Sequence, residues 1–297
     1  MKRVAGSALY LSLITASWLA RAVPVRLAYG AGRLGGRAAY YLWPGGRRRS
    51  QNAMRRVAGG DRALAKRYAR QSFEYYGTYL IDFLRFGSFT PEHVIEAVDF
   101  DDWPRIEEQR QGNGILFVTL HFGNWDLAGA AITTRGIPMV AVADTFAHAG
   151  INRLVVGARS RLGMRVLPAE RTGPEVLRAL QRNDVVALLA DVPQGSAGVQ
   201  VDFFGEPVFL PDGPARIALR TGAPIMVGGV WRRGPVGAHY DADVELVRFE
   251  ASGERDADIL GLTQAMVEAL ERLIHRAPEQ WYIFRNLWPA DAGLGVA

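Results

Sequence analysis

From Trp103 onward, short apolar runs alternate with stretches of helical periodicity, and this alternation limits the folds open to the chain. Short apolar runs bounded by turn residues are typical of buried strands. Strands that alternate with helices indicate an α/β fold, here a mixed central sheet flanked by helices. The predicted strands are 115–120, 138–143, 165–167, 185–190, 199–204, 224–231 and 244–249, and the predicted helices are 61–89, 124–134, 151–162, 174–181, 214–220 and 256–277.

The first of these strands ends at His121, after which the chain turns through Gly123 and Asn124 and continues as a predicted helix. In α/β folds the residues that do chemistry collect at the carboxyl ends of strands. Asp126, five residues after His121, could orient the imidazole and stabilise its protonated form. The alternative is that His121 only ends the strand and that Asp126 is an acid in a first helical turn, where acids are favoured. These residues alone leave both interpretations open.

The absence of cysteine excludes disulfides, a thiolate nucleophile and a cysteine-based zinc site. The chain also contains no G-x-S-x-G sequence, the turn that presents the nucleophilic serine of many hydrolases. The remaining histidines are scattered and do not have the spacing of metal ligands; they are His93, His148, His239 and His275. We therefore predict a site without a metal and without a cofactor.

The first sixty residues hold the basic charge of the chain. They contain eleven Lys and Arg residues and no acid, so they carry +11, whereas residues 61–297 carry −6 and the whole chain +5. Residues 4–20 within them are a run of seventeen uncharged, mostly apolar residues. As a helix this run would be about 25 Å long, a little short of the roughly 30 Å hydrocarbon core of a bilayer. It could be a signal peptide, a short transmembrane anchor or a helix that lies on a membrane surface.

The residues after this run favour the third interpretation. Arginines are interleaved with aromatic residues, namely Trp18, Tyr29, Tyr40, Tyr41 and Trp43. This mixture suits an anionic membrane leaflet. An arm that binds nucleic acid would also be basic, but such arms are usually polar, and we expect no nucleic-acid partner. We predict that residues 1–60 form basic amphipathic helices on a membrane and that residues 61–297 form the main domain, with no linker between them and a single domain overall.

Residues 30–35, GAGRLG, match the G-x-G-x-x-G pattern of dinucleotide-binding folds. That site requires a preceding strand and an acid about 20 residues later. The first acid in the chain is Asp61, and the residues that flank the motif are predicted to be helical. We therefore expect these glycines to allow close helix packing or bends rather than to bind a dinucleotide.

Three stretches together resemble one enzyme family. HFGNWD at 121–126 resembles the H-x-x-x-x-D motif of glycerolipid-type acyltransferases, the lysophospholipid acyltransferase-like superfamily. VDFFGEPVFLPDGPARIALRTGAPI at 201–225 and PEQWYIFRNLWP at 278–289 resemble two blocks of the bacterial lipid A biosynthesis acyltransferases. These are the lauroyl and myristoyl transferases, to which the phosphatidylinositol mannoside acyltransferases are related. The resemblance covers nearly the whole chain, although Phe-Arg-Asn stands at 284–286 where many members have His-Arg-Arg.

The resemblance implies roles for four residues, and the start of the predicted helix at 124 adds a fifth candidate. His121 would be the general base, with Asp126 as the partner that orients it. Asp191 matches an acid that is Glu in the mannoside enzymes, although from sequence alone it could also cap the turn after its strand. Arg159 matches an arginine near the headgroup of the donor or acceptor, with a solvated helix face as the default interpretation. Asn124 begins the helix whose first N–H groups are candidates for holding an oxyanion, and we group it with Arg159 as substrate-binding.

The reaction implied by the resemblance is O-acyl transfer from acyl-CoA or acyl carrier protein to a hydroxyl of a membrane lipid or glycolipid, such as a lipid A precursor or a phosphatidylinositol mannoside. The implied location is the cytoplasmic face of the plasma membrane, with the protein bound peripherally or by one N-terminal anchor. Two alternatives are a hydrolase that uses the same His–Asp pair on water and an inactive membrane scaffold. The lack of a serine elbow weakens the first, and the intact H-x-x-x-x-D motif argues against the second.

Overall fold

The computed structural model describes residues 2–110, 112–146, 148–169, 172–192 and 198–294. Its helices are α1 (Lys2–Ala22), α2 (Val25–Leu42), α3 (Pro44–Val57), α4 (Arg62–Arg85), α5 (Pro91–Ala97), α6 (Trp103–Arg110), α7 (Trp125–Thr134), α8 (Ala149–Arg161), α9 (Thr172–Gln181), α10 (Gly213–Thr221) and α11 (Arg255–Arg276). Its strands are β1 (Val98–Asp99), β2 (Ile115–Thr119), β3 (Met139–Ala143), β4 (Arg165–Pro168), β5 (Val185–Leu189), β6 (Val199–Phe203), β7 (Glu206–Leu210), β8 (Ile225–Arg232) and β9 (Tyr240–Leu246). Each predicted helix is present, with bounds that differ by a few residues.

Over the described residues, one sheet of seven strands has the order β1-β9-β8-β2-β5-β3-β4. The strands from β8 to β4 run parallel, whereas β9 is antiparallel to β8 and β1 pairs in parallel with β9. This arrangement confirms the predicted mixed α/β sheet flanked by helices. Because β2 and β5 are parallel neighbours, their carboxyl ends meet at one edge of the sheet and bring together the residues that follow them.

The sheet separates two apolar cores, and β2 contributes to both. Leu116 and Val118 pack with residues of α9, α10 and α11 on one face. Ile115 and Phe117 pack with residues of α7 and α8 on the other face. A strand that is covered on both faces is apolar along its length, which accounts for the continuous apolar run in the sequence.

Two predicted strands differ in the structure. The stretch 199–204 lies outside the main sheet as β6, which forms an antiparallel hairpin with β7. Phe204 and Gly205 join them with φ angles of 53° and 75°, the positive values that favour a tight hairpin. β7 is absent from the predicted strands because Pro207 interrupts its apolar pattern. The predicted strand 244–249 begins earlier, as β9, because acidic residues occupy its first half.

Glycines bring the backbones of α2 and α4 into contact. A Cβ atom on Gly36 would lie 2.0 Å from the carbonyl oxygen of Phe73, and one on Gly77 would lie 2.0 Å from that of Gly32. Any side chain at these positions would separate the two helices. The prediction of close helix packing is confirmed at Gly32, whereas the first and last glycines of the GAGRLG stretch have open space beside them.

Acids of the later chain bind part of the basic N-terminal segment. Buried Glu74 accepts hydrogen bonds from Arg33 Nε at 2.8 Å and from Arg37 Nε at 2.7 Å. Arg56 Nη1 donates to Asp291 Oδ2 at 2.9 Å. These arginines therefore tie α2 and α3 to the rest of the fold.

The apolar run at 4–20 lies within α1, and the sequence leaves open whether it is a transmembrane anchor. Among the described residues, no helix combines the length and the apolar character that crossing a membrane would require.

Candidate active site

His121 and Asp191 meet at the carboxyl edge of the sheet, just after the parallel neighbours β2 and β5. Nδ1 of His121 lies 2.8 Å from Oδ1 of Asp191, and the backbone N–H of His121 donates to Oδ2 at 3.0 Å. An ionised carboxylate only accepts hydrogen bonds, so the proton of the neutral imidazole is on Nδ1. Nε2 therefore carries the lone pair, and the pair presents a base.

The charge of Asp191 makes His121 easier to protonate. Burial lowers the pKa of His121, but the charge and hydrogen bond of Asp191 outweigh burial, and the pKa lies above its ordinary value of 6.5. Arg285 lowers this pKa and Asp144 raises it, both to smaller extents. Burial raises the pKa of Asp191, yet the contacts with His121 hold it below its ordinary value. Asp191 therefore stays ionised beside an imidazolium and stabilises it.

Asp126 makes its hydrogen bonds elsewhere. Its Oδ1 accepts from Arg159 Nε at 2.7 Å, and its Oδ2 accepts from the hydroxyl of Tyr79 at 3.0 Å. The prediction that Asp126 orients His121 is therefore wrong, because that contact belongs to Asp191. The physical reason is the turn at residue 123, which has a positive φ and breaks helical periodicity between the two residues. The H-x-x-x-x-D spacing therefore does not place both side chains on one helix face.

Arg159 neutralises Asp126 at one end of a cavity. The Arg159 side chain is only 13% exposed, and its Nε–H donates a hydrogen bond to Asp126. Both residues line a small cavity of about 50 Å³ between α1, the end of α4 and α8. The remaining lining is mostly apolar and includes Leu13, Phe83, Leu154, Val155 and Ala158. The substrate-binding role of Arg159 stays a prediction, and the structure places the residue beside an apolar cavity rather than on a solvated helix face.

Asn124 holds the His121 turn, by which we mean residues 121–126. Its Oδ1 caps α7 by accepting from the N–H of Leu127 at 2.9 Å, and its Nδ2 donates to Asp82 at 2.9 Å. The side chain is buried and both of its polar ends are used within the protein. The predicted substrate-binding role of Asn124 is therefore corrected to a structural one.

Gly123 is required at its position in the same turn. Its φ is +56°, a value that residues with a side chain rarely adopt. A Cβ atom there would also lie 1.9 Å from the carbonyl oxygen of Val230. The turn therefore packs directly on the backbone of β8.

Asn124 belongs to a buried cluster that the sequence analysis does not predict. The carboxylate of Asp82 also accepts from the hydroxyls of Tyr29 at 2.7 Å and Tyr240 at 2.6 Å and pairs with Arg232. We call these five residues the Asp82 cluster. Asp82 and Arg232 are 1% and 4% exposed, so the ion pair is almost completely removed from water. The members come from α2, α4, β8, β9 and the His121 turn, and no short motif joins them.

The PEQWY stretch near the C-terminus forms hydrogen bonds with the backbone of the His121 turn. The carbonyl oxygen of Gln280 accepts from the N–H of Gly123 at 2.8 Å, and the N–H of Tyr282 donates to the carbonyl oxygen of His121 at 2.8 Å. The side-chain amide of Gln280 bonds to both the N–H and the carbonyl of Arg232. The stretch therefore fixes the backbone of His121.

Comparisons with known proteins agree on one family. The family model described as bacterial lipid A biosynthesis acyltransferase matches residues 3–289. The chain is 30% identical to the phosphatidylinositol mannoside acyltransferase of Mycolicibacterium smegmatis, over 93% of this chain and 90% of that protein. It is 30% identical to the protein of the same name from Mycobacterium tuberculosis, over 93% of this chain and 87% of that protein. These matches confirm the resemblance, and the chain belongs to the bacterial lipid A biosynthesis acyltransferase family.

Proposed function

We propose that this acyltransferase moves a fatty acyl group from a thioester, acyl-CoA or acyl carrier protein, to a hydroxyl of a membrane glycolipid, with His121 as the general base. The observation that carries this proposal is the contact of His121 Nδ1 with the buried Asp191 carboxylate, which leaves Nε2 to accept a proton. The acceptor is a phosphatidylinositol mannoside, as in the names of the relatives, or a lipid A precursor, as in the name of the family.

An alcohol is a poor nucleophile at neutral pH, so a base must accept its proton as the oxygen attacks the thioester carbonyl. Nε2 of His121 accepts that proton, and Asp191 stabilises the resulting imidazolium. Collapse of the tetrahedral intermediate breaks the carbon–sulfur bond, and the leaving thiolate takes the proton from Nε2. The base is thereby restored, and no covalent acyl-enzyme is formed.

The negative charge that develops on the carbonyl oxygen requires hydrogen-bond donors. In the His121 turn, the N–H groups of Gly123, Asn124 and Leu127 already have acceptors. The N–H groups of Trp125 and Asp126 open α7, and first-turn N–H groups have no acceptor within their own helix. We assign stabilisation of the oxyanion to these two groups, at the positive end of the helix dipole.

The exposed apolar residues of α1 and α2 support binding to a membrane surface. Leu27, Leu34 and Tyr41 recur every seven residues along α2 and are 66%, 67% and 58% exposed. Residues at this spacing share one helix face. Further exposed apolar residues of the same segment are Leu11, Ile14, Trp18, Leu19, Val23, Leu42 and Trp43. Exposed arginines beside them, at 26 and 48, suit the anionic cytoplasmic face of a plasma membrane.

Replacing both Leu27 and Leu34 with glutamate is expected to weaken binding to anionic vesicles about a hundredfold, because each leucine gains about 1.5 kcal/mol or more when it leaves water. Cosedimentation with phosphatidylglycerol-containing vesicles measures the change. The matched control replaces Leu219 and Leu260, which are exposed on α10 and α11, with glutamate and should bind as the wild type does. Equal binding by both double variants would contradict a membrane surface on α2.

The proposed reaction is tested by following the acyl group. Labelled palmitoyl-CoA, or palmitoyl-acyl carrier protein, is incubated with the protein and with vesicles that contain a phosphatidylinositol mannoside, a lipid A precursor or neither. We expect the label in an acylated glycolipid with at least one acceptor and only background without one. Label released solely as free fatty acid would identify a hydrolase, and no consumption of either thioester would identify an inactive scaffold.

A further inference from the structure

The carboxylate of Asp191 accepts hydrogen bonds from two of the described residues. His121 donates to it twice, from its ring and from its backbone. The third hydrogen bond comes from the indole Nε1–H of Trp281, which donates to Oδ2 at 3.2 Å. Asp191 is 1% exposed and Trp281 is 0% exposed. Trp281 is therefore a buried donor to Asp191 that is independent of the residue that Asp191 orients.

Trp281 is itself held firmly. Its ring packs against Phe203 and Trp288, with ring centroids 5.7 Å and 6.4 Å away. Its carbonyl oxygen accepts from the buried hydroxyl of Ser72 at 2.9 Å, and its backbone bridges to Phe122 in the His121 turn. An indole fixed in this way cannot follow a carboxylate that rotates. Its N–H therefore defines one position for Oδ2.

We propose that Trp281 is a positioning residue for the catalytic base, because its indole N–H fixes the Asp191 carboxylate with Oδ1 facing Nδ1 of His121. Trp281 acts through Asp191 and does not touch the substrate. The assignment rests on the proposed role of His121 as the base. Among the residues that the structure describes, the only other donor to Asp191 is His121, the residue that Asp191 has to orient. Without the indole N–H, both side chains could therefore rotate together.

Loss of the indole N–H also changes the protonation of His121. Burial raises the pKa of Asp191, and the contacts with His121 and then the hydrogen bond from Trp281 lower it. A carboxylate with fewer donors is more basic and holds an imidazolium more tightly, which raises the pKa of His121 further. Asp144 and Arg285 are further charged groups that act on His121, and a change at residue 281 leaves both in place. Since His121 must be neutral to act as a base, the acid limb of kcat/KM moves to higher pH.

The test compares Trp281→Phe with Trp288→Phe. Each substitution removes one buried indole N–H that donates over 3.2 Å, in one case to Asp191 and in the other to the carbonyl oxygen of Phe203. For Trp281→Phe we expect kcat to fall about tenfold, the lower end of what a hydrogen bond to a charged group contributes. KM should change little, and the acid limb should lie at higher pH than in the wild type. Trp288→Phe reduces the packing on Trp281 but leaves its hydrogen bond to Asp191 in place. Its acid limb should therefore coincide with that of the wild type, and its kcat should fall much less than that of Trp281→Phe.

Thermal unfolding of both variants shows whether each is folded at the assay temperature. An acid limb and kcat of Trp281→Phe that coincide with those of Trp288→Phe would overturn the role of Trp281 and leave His121 as the base. Wild-type activity in His121→Gln would instead overturn the base itself, so the two failures can be told apart.

A second measurement uses the wild-type protein and does not depend on the folding of a variant. The ¹⁵N-labelled indole N–H signal of Trp281 is followed as His121 titrates, with the signal of Trp288 as the internal control. We expect the Trp281 signal to shift with the titration of His121 and the Trp288 signal to remain constant. A Trp281 signal that does not respond would contradict its contact with the Asp191–His121 pair.

Discussion

Replacing His121 with glutamine is expected to lower kcat about a thousandfold, within the range of about 10²–10⁴ that a general base contributes. Glutamine can form hydrogen bonds but cannot accept a proton at neutral pH, so the attacking hydroxyl keeps its proton. Initial rates of acyl transfer at saturating donor and acceptor measure the loss. His275→Gln, which removes an exposed imidazole that packs on Phe204, is the control and should keep the wild-type kcat. Similar rates for the two variants would contradict the assignment of the base.

Replacing Asp191 or Asp126 with asparagine distinguishes the roles of these two acids. In Asp191→Asn the new amide can donate to Nδ1, which would place the imidazole proton on Nε2 and remove the base. We expect a loss of kcat as large as that of His121→Gln. In Asp126→Asn the imidazole contact is intact and the change acts through Arg159, so the loss should be smaller and the acid limb unchanged. The reverse order of losses would identify Asp126 as the partner of His121.

Replacing Asp82 with asparagine is expected to lower the free energy of unfolding by about 3–5 kcal/mol, the cost of leaving one partner of a buried ion pair uncompensated. Arg232 is 4% exposed, and a neutral amide would no longer balance its charge. The amide has nearly the volume of the carboxylate, so a cavity contributes little. Urea unfolding followed by tryptophan fluorescence measures the change. Because Asp82 also holds Asn124, kcat should fall as the His121 turn loosens.

The control for Asp82→Asn is an exposed ion pair, formed by Asp99 and Arg233, the residue that follows Arg232. Nη2 of Arg233 lies 2.7 Å from Oδ2 of Asp99, but the two side chains are 50% and 57% exposed. Asp99→Asn should cost less than about 1 kcal/mol, because water and salt screen an exposed pair. Equal costs for Asp82→Asn and Asp99→Asn would contradict the view that burial of the Asp82 pair is what makes it important for stability.

The parallel part of the sheet could be predicted from the sequence because its strands have short apolar runs. β2, ILFVT, is buried at every position, and only an apolar run can satisfy that environment. β9 is different, since Asp241, Asp243 and Glu245 lie along it and its burial is partial. β1 has two residues, which is too short for any periodicity. The sequence pattern therefore predicted the strands that have a continuous apolar run and missed or displaced β1 and β9, which have none.

The partner of His121 could not be predicted from the spacing of a motif. His121 and Asp191 are 70 residues apart and meet because β2 and β5 are adjacent, a pairing that neither strand's sequence specifies. The resemblance to the family singled out Asp191 but assigned the orienting contact to Asp126. For the Asp82 cluster, the local signal is an acid within the apolar stretch YLIDFL, and its partner Arg232 is 150 residues away.

Because the backbones of α2 and α4 touch at glycines, α2 cannot rotate about its axis without driving a carbonyl oxygen into its neighbour. Leu27 and Leu34 on the exposed face and Tyr29 on the buried face therefore keep a fixed angle to each other. Tyr29 joins the cluster that holds the His121 turn. With α2 on a bilayer, as we propose, Nε2 of His121 would therefore lie at a fixed height above the lipid. We would then expect acceptors to be selected by the distance between their hydroxyl and the headgroup plane, which the sugars between lipid and hydroxyl set and the acyl chains do not.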